Sequence, residues 1–161
     1  NLDSPAETGL SFVENALIKA RYASEKTGLP AIADDSGLEV NYLQGAPGIY
    51  SSRYAGEEGN DAANNQKLLN ALNGLPNEKR GARFVCVLVF LRHAKDPTPI
   101  ISQGFWEGSI ATHAKGDKGF GYDPLFISHK QGKHSAELSR EEKSQVSHRA
   151  LAMANLLQQL R

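Results

Sequence analysis

The chain has 161 residues, of which 40% are hydrophobic, enough to bury a core and to be expected as a single domain over residues 1–161. Eighteen Lys and Arg balance eighteen Asp and Glu, which excludes a global field for a nucleic-acid polymer and requires any anion site to be local. The longest apolar run, 84–91, is far short of the roughly 20 residues that span a bilayer and reads as a buried strand.

Cys86 is the only cysteine and lies inside that run, so no intrachain disulfide can form and a reducing compartment is expected. The sequence opens at Asn1 with neither an initiator Met nor a basic-then-apolar leader.

Ser11 followed by Glu14 has capping-box spacing, and Phe12, Ala16, Ala20 and Ala23 recur at helical intervals until Gly28 and Pro30, predicting a helix over 12–26. Residues 31–33 and 38–40 read as two short strands around a turn at Asp34-Asp35-Ser36-Gly37. Residues 44–60, with five glycines and prolines, form a long loop, after which Asp61 caps a helix running to Asn73. Residues 83–92 and 100–106 are neighbouring strands joined by a turn at Asp96-Pro97, and 108–113 continues the sheet. The last helix carries Ala150, Met153, Ala154, Leu157 and Leu160 on one apolar stripe.

Adjacent carboxylates at a strand end are costly unless paired, hydrogen-bonded or bound to a cation, and strand geometry sends only one of Asp34 and Asp35 toward a given cleft. An Asx-type turn without function accounts for them equally well. Glu7 lies just ahead of the first helix, where a second oxygen ligand would complete a magnesium site, while Glu14 is assigned to its cap. Lys19 shares a helix face with Asn15 and can reach an anion near the aspartates, or simply be solvated. In Gly119-Phe120-Gly121-Tyr122-Asp123-Pro124, glycines allow close approach of a flat ligand, Phe120 can stack on a base, and Asp123 can accept from a ring N–H; the plain alternative is a turn with Phe120 in the core. On one continuous helix Lys143 and His148 would lie about 140° apart, so a break is predicted, with Ser147 capping a new helix and His148 and Arg149 in its first turn.

Together these blocks resemble the inosine triphosphate pyrophosphatase family. The resemblance rests on Glu7-Thr8-Gly9 with Phe12, Glu14, Asn15, Ala16, Lys19 and Ala20; on 33–38; on 45–53; on 119–124; and on 141–149. It implies an elongated α/β fold with a central mixed sheet flanked by helices, a homodimer, a cytoplasmic location and Mg2+ as cofactor. It implies hydrolysis of non-standard purine nucleoside triphosphates (dITP, ITP, XTP) to the monophosphate and pyrophosphate. Asp35 would be the catalytic acceptor and, with Glu7, a magnesium ligand. Ser36 would contact substrate; Lys19 and Lys143 would neutralise phosphate charge; Phe120, Gly121, Tyr122 and Asp123 would hold the base; His148 and Arg149 would finish the pocket. Family members begin with a strand and a phosphate-gripping loop that match nothing here, so the sequence is expected to start after that segment. The competing readings are a related pyrophosphatase for modified or pyrimidine nucleotides and a nucleotide-binding module without catalysis.

Overall fold

A computed structural model describes residues 2–161. In chain order the elements are α1 (Phe12–Thr27), β1 (Ala31–Val40), 3-10 turns at Asn41–Leu43 and Gly48–Arg53, α2 (Asp61–Ala71), a 3-10 turn at Asn77–Lys79, β2 (Gly81–Leu91), β3 (Ile100–Ile110), β4 (Phe126–Ser128), a 3-10 turn at Ser135–Glu137, α3 (Arg140–Val146) and α4 (His148–Gln159).

The α/β class follows the expectation, but the described sheet is not mixed. Its order is β1-β2-β3-β4 and every pair is antiparallel. Each described strand turns back beside its predecessor, whereas a parallel pair needs a crossover that restores direction. The β2–β3 return is held by Asp96, whose Oδ2 accepts from the Arg92 backbone N–H at 3.0 Å and whose Oδ1 accepts from Thr98 N–H at 2.9 Å.

The turn expected at 34–37 is also absent, because β1 is one unbroken strand. Asp34, Asp35, Ser36 and Gly37 pair with Leu88, Val87, Cys86 and Val85, so a ladder to an apolar partner some fifty residues away overrides local turn preference. Gly37 is needed for close approach rather than for a bend: a Cβ there would meet the Gly48 carbonyl, and Phe12 Cε1 and Ser51 Oγ at 2.8 Å.

The first helix forms as its cap predicts. Ser11 Oγ accepts from Glu14 N–H at 3.3 Å, Glu14 Oε2 accepts from Ser11 N–H at 3.1 Å, and Gly28 closes the helix with φ 70°. Phe12, Ala16 and Ala20 bury against Val85, Val87, Val89 and Leu91 on one face of the sheet. On the other face Gly104 lets α4 descend onto β3, since a Cβ would collide with the His148 carbonyl, and Ser102 Oγ donates to the Ala152 carbonyl at 2.6 Å.

Three local expectations change. Asn60, not Asp61, caps α2, with Oδ1 accepting from Ala63 N–H at 3.1 Å, and the helix ends at Ala71. The sheet continues past Trp106 only to Ile110; Ala111 N–H then donates to the Leu125 carbonyl at 2.8 Å. The α4 stripe faces outward, with Met153, Leu157 and Leu160 44–53% exposed while Ala152 and Leu156 are buried. Small Ala152 is what fits over Gly104, so close packing rather than side-chain hydrophobicity selects the inner face.

Candidate active site

Strand alternation sends the two aspartates to opposite faces of β1. Asp35 points to the α1 side, where Lys19 Nζ lies 3.4 Å from its Oδ1 and 3.1 Å from Glu7 Oε1. Asn15, buried on the same helix face, fixes the segment bearing Glu7 by accepting from Gly9 N–H at 2.8 Å. Burial raises the pKa of Asp35 against the pull of Lys19, and its Oδ2 is buried without a hydrogen-bond partner. Burial opposes the charge of Lys19, but Asp35 and Glu7 outweigh it and hold the ammonium above its ordinary value.

Across the strand, the α4 side holds a cavity of about 350 Å³ whose lining includes Ser36, Phe120, Tyr122, Lys143, His148 and Arg149. The predicted break is present: Ser147 is extended (φ −67°, ψ 153°), ends α3 and caps α4 by accepting from Ala150 N–H at 3.2 Å. His148 is thereby pressed parallel to Phe84, with ring centroids 4.9 Å apart and planes 15° apart. Burial and the neighbouring Arg149 push its pKa down to about 4, so the ring is neutral near pH 7, and its Nδ1 is buried without a partner.

Phe120 is 66% exposed, which answers the core alternative; Lys143 Nζ lies 5.9 Å and Arg149 Cζ 5.7 Å from its centroid. Tyr122, in contrast, is buried and donates its hydroxyl to the Ser51 carbonyl at 2.6 Å. Asp123 is buried too. Its Oδ2 accepts from Phe120 N–H at 3.0 Å and Lys143 Nζ at 2.7 Å, and its Oδ1 from Ser135 Oγ at 2.8 Å. With three of about four acceptor positions taken, Asp123 buckles the loop more than it offers a free acceptor to a base. Gly119, at φ 76°, is required because a side chain would strike the Asp123 carboxylate.

Two residues of this site escaped the sequence reading. Asp61 Oδ2 accepts from Gly121 N–H at 2.8 Å and Asn65 Nδ2 donates to the Gly121 carbonyl at 2.9 Å, so the first turns of α2 grip that peptide at both ends. Their spacing of four marks a shared helix face, but nothing local points to a partner about sixty residues on. Asp34 also gains a place, with Arg149 Nη2 at 3.6 Å and Ser36 Oγ at 3.4 Å from its Oδ2.

The predicted residues therefore gather in two groups rather than around one cavity: Glu7, Lys19 and Asp35 on the α1 side, and Ser36, Phe120, Gly121, Tyr122, Asp123, Lys143, His148 and Arg149 on the α4 side. The strand between them is the edge of the described sheet. Its far end is covered where Leu38 N–H donates to Ser51 Oγ at 2.9 Å. Arg53 stacks over Tyr50, 5.1 Å from its ring centroid.

An aromatic ring flanked by cations on one side of an edge strand, and a lysine-bridged carboxylate pair on the other, define an α/β scaffold suited to an aromatic anion. The chain belongs to the Ham1 family, whose profile matches residues 1–159. It is 59% identical over 160 residues to the dITP/XTP pyrophosphatase of Salmonella paratyphi A, covering 99% of this chain and 81% of that protein. The HAM1 protein of Coxiella burnetii superposes with a TM-score of 0.93 at 47% identity, covering 98% of this chain and 80% of that one. The nucleoside-triphosphatase, or dITP/XTP pyrophosphatase, of Mycobacterium abscessus gives 0.84 at 45% identity, covering 100% and 81%.

Proposed function

We propose that this chain is a single-domain enzyme that hydrolyses non-standard purine nucleoside triphosphates to the monophosphate and pyrophosphate, acting on deoxyinosine, inosine and xanthosine triphosphates. The observation that carries the reading is the pair of groups on either side of β1. One fits a purine ring, the other the charged end of the same nucleotide, and the strand edge at Ser36 lies between them.

The base lies against Phe120, whose ring keeps its exposed face in the cavity. Arg149 and the neutral His148 supply donors for O6 of a hypoxanthine or xanthine ring. An adenine amino group would leave those donors unpaired, which can cost several powers of ten in discrimination. Lys19 neutralises phosphate charge beyond the strand edge, whereas Lys143, held by Asp123 beside Phe120, serves the base end.

The Glu7–Asp35 group fits a hard divalent cation, because Asp35 Oδ2 is buried and unpartnered and two carboxylates suffice when phosphates and water complete the shell. Magnesium bound there would polarise phosphate oxygens and offset their charge. Asp35 would also accept a proton from the water that attacks the α-phosphorus. The leaving group is pyrophosphate, its charge met by Lys19. A homodimer in the cytoplasm completes the proposal; among the described residues no helix is long and apolar enough to cross a membrane.

The test is pyrophosphate release from inosine triphosphate and from deoxythymidine triphosphate in the presence of magnesium. The expected result is a higher kcat/KM for the purine; preference for the pyrimidine would replace this reading with a pyrimidine-directed one.

A further inference from the structure

A second cavity, of about 280 Å³, opens where β3 ends, away from the groups just described, and its lining includes Arg80, Ser109, Thr112, His113 and His134. Arg80 is only 3% exposed. Its Nε donates to the Ile110 carbonyl at 2.7 Å, Nη1 to the Leu72 carbonyl at 2.7 Å and Nη2 to the Ala111 carbonyl at 2.8 Å. A guanidinium has five N–H groups, so two remain beyond these three bonds. Among the described residues no carboxylate pairs with it. A buried charge offset only by carbonyl dipoles is a costly arrangement that an anion would relieve.

The rest of the lining has the same sense. No acidic residue lines the cavity, whereas two hydroxyls, the Asn77 amide and two imidazoles do. His134 is buried, and its Nδ1 lies 2.7 Å from the Pro124 carbonyl, which can only accept; Nδ1 therefore carries the hydrogen and Nε2 is left for another partner. The His113 ring stands 6.3 Å away, centroid to centroid.

We propose that this cavity is a binding site for a phosphate-type oxyanion, with Arg80 as its fixed charge and Thr112, Ser109, His113 and His134 as its adjustable partners. Orthophosphate and pyrophosphate share this chemistry. The site stands on its own residues and does not depend on the activity proposed above. It does touch the base loop from behind: His134 holds the Pro124 carbonyl, and the next residue, Ser135, holds Asp123, the partner of Lys143.

The experiment titrates orthophosphate, and separately pyrophosphate, into the whole chain at constant ionic strength set with chloride, following the ring C–H resonances of His113, His134 and His148 by NMR. Saturable movement of His113 and His134 at millimolar anion or below is expected, with His148 reporting independently on the nucleotide cavity. The tighter of the two arms identifies the ligand. Arg80→Gln should abolish the response. Since Arg80 also ties three carbonyls, Thr112→Val is the companion variant, expected to weaken binding about tenfold through one lost hydrogen bond to a charged group. Static His113 and His134 resonances in both titrations, or a response unchanged in Thr112→Val, would overturn the site.

Discussion

Asp34 and Asp35 are chemically identical neighbours, yet strand alternation gives them different work. Asp34 meets Arg149, which lines the cavity on the α4 side, while Asp35 is half-buried beside Lys19, which bridges it to Glu7, with one oxygen unpartnered. A carboxylate whose pKa is raised on folding is less stable ionised in the folded chain than in the unfolded one. That penalty is full at neutral pH, shrinks as pH falls below the folded value and is gone only below the ordinary carboxylate value. Asp35→Asn should therefore lower turnover by roughly 1,000-fold or more while leaving the melting temperature at neutral pH equal to or above the parent's. A large fall in melting temperature would mark Asp35 as a structural residue.

His148 has the opposite linkage. Its folded pKa is depressed to about 4 from an ordinary 6.5, so it contributes stability that is full above the ordinary value and lost as pH falls toward the folded one. The shift corresponds to on the order of 3 kcal/mol between those limits. Urea unfolding at pH 7 and pH 4.5 should show this acid loss in the parent and a smaller one in His148→Phe, which keeps an aromatic ring on Phe84. Equal losses in both proteins would contradict the burial of the neutral imidazole. The placement of His148 was legible in the sequence, because five residues of helix cannot align it with Lys143 and Ser147 is a natural cap. The engagement of Asp123 within the protein was not, because Ser135 and Lys143 reach it only through the tertiary fold.

At the scale of elements, α2 is tied to the proposed base site although it contributes no stacking ring. Asp61 and Asn65 hold the two ends of the Gly121 peptide, and Phe120 is the next residue back along the loop. Steady-state kinetics with inosine triphosphate should show KM raised about tenfold in Asp61→Ala and Asn65→Ala with kcat changed far less, since roughly one hydrogen bond to the loop is lost in each. Asp61→Asn, which retains an accepting oxygen for Gly121 N–H, should recover most of the parent's KM. Equal KM in Asp61→Ala and the parent would remove α2 from base recognition.

Legibility among the elements followed the range of the interactions that set them. The limits of α1 are written in Ser11, Glu14 and Gly28, all within the helix and its caps. The continuity of β1 depends on β2 more than forty residues later, so Asp34 to Gly37 looked like a turn. The apolar stripe of α4 was visible, but its direction was not, because Gly104 on β3 admits Ala152 and turns Leu157 and Met153 to the outside.

On the scale of the whole molecule, the sheet separates the two groups that the proposed nucleotide would bridge at the β1 edge. Helix α1 arms one face with Lys19, and α3 and α4 arm the other with Lys143, His148 and Arg149. A nucleotide is the right length and chemistry for this division, with an aromatic end and an anionic end joined by a flexible sugar. The sequence blocks named the residues on both sides, but the division itself arises from strand parity, which assigns Asp35 and Ser36 to opposite faces.

The reaction proposed above is attack of water at the phosphorus nearest the sugar. It is tested by hydrolysing inosine triphosphate with magnesium in water enriched in oxygen-18 and locating the label by mass spectrometry. Label in inosine monophosphate, with unlabelled pyrophosphate as the other product, is the predicted result. Label in pyrophosphate, or orthophosphate released as the first product, would contradict it.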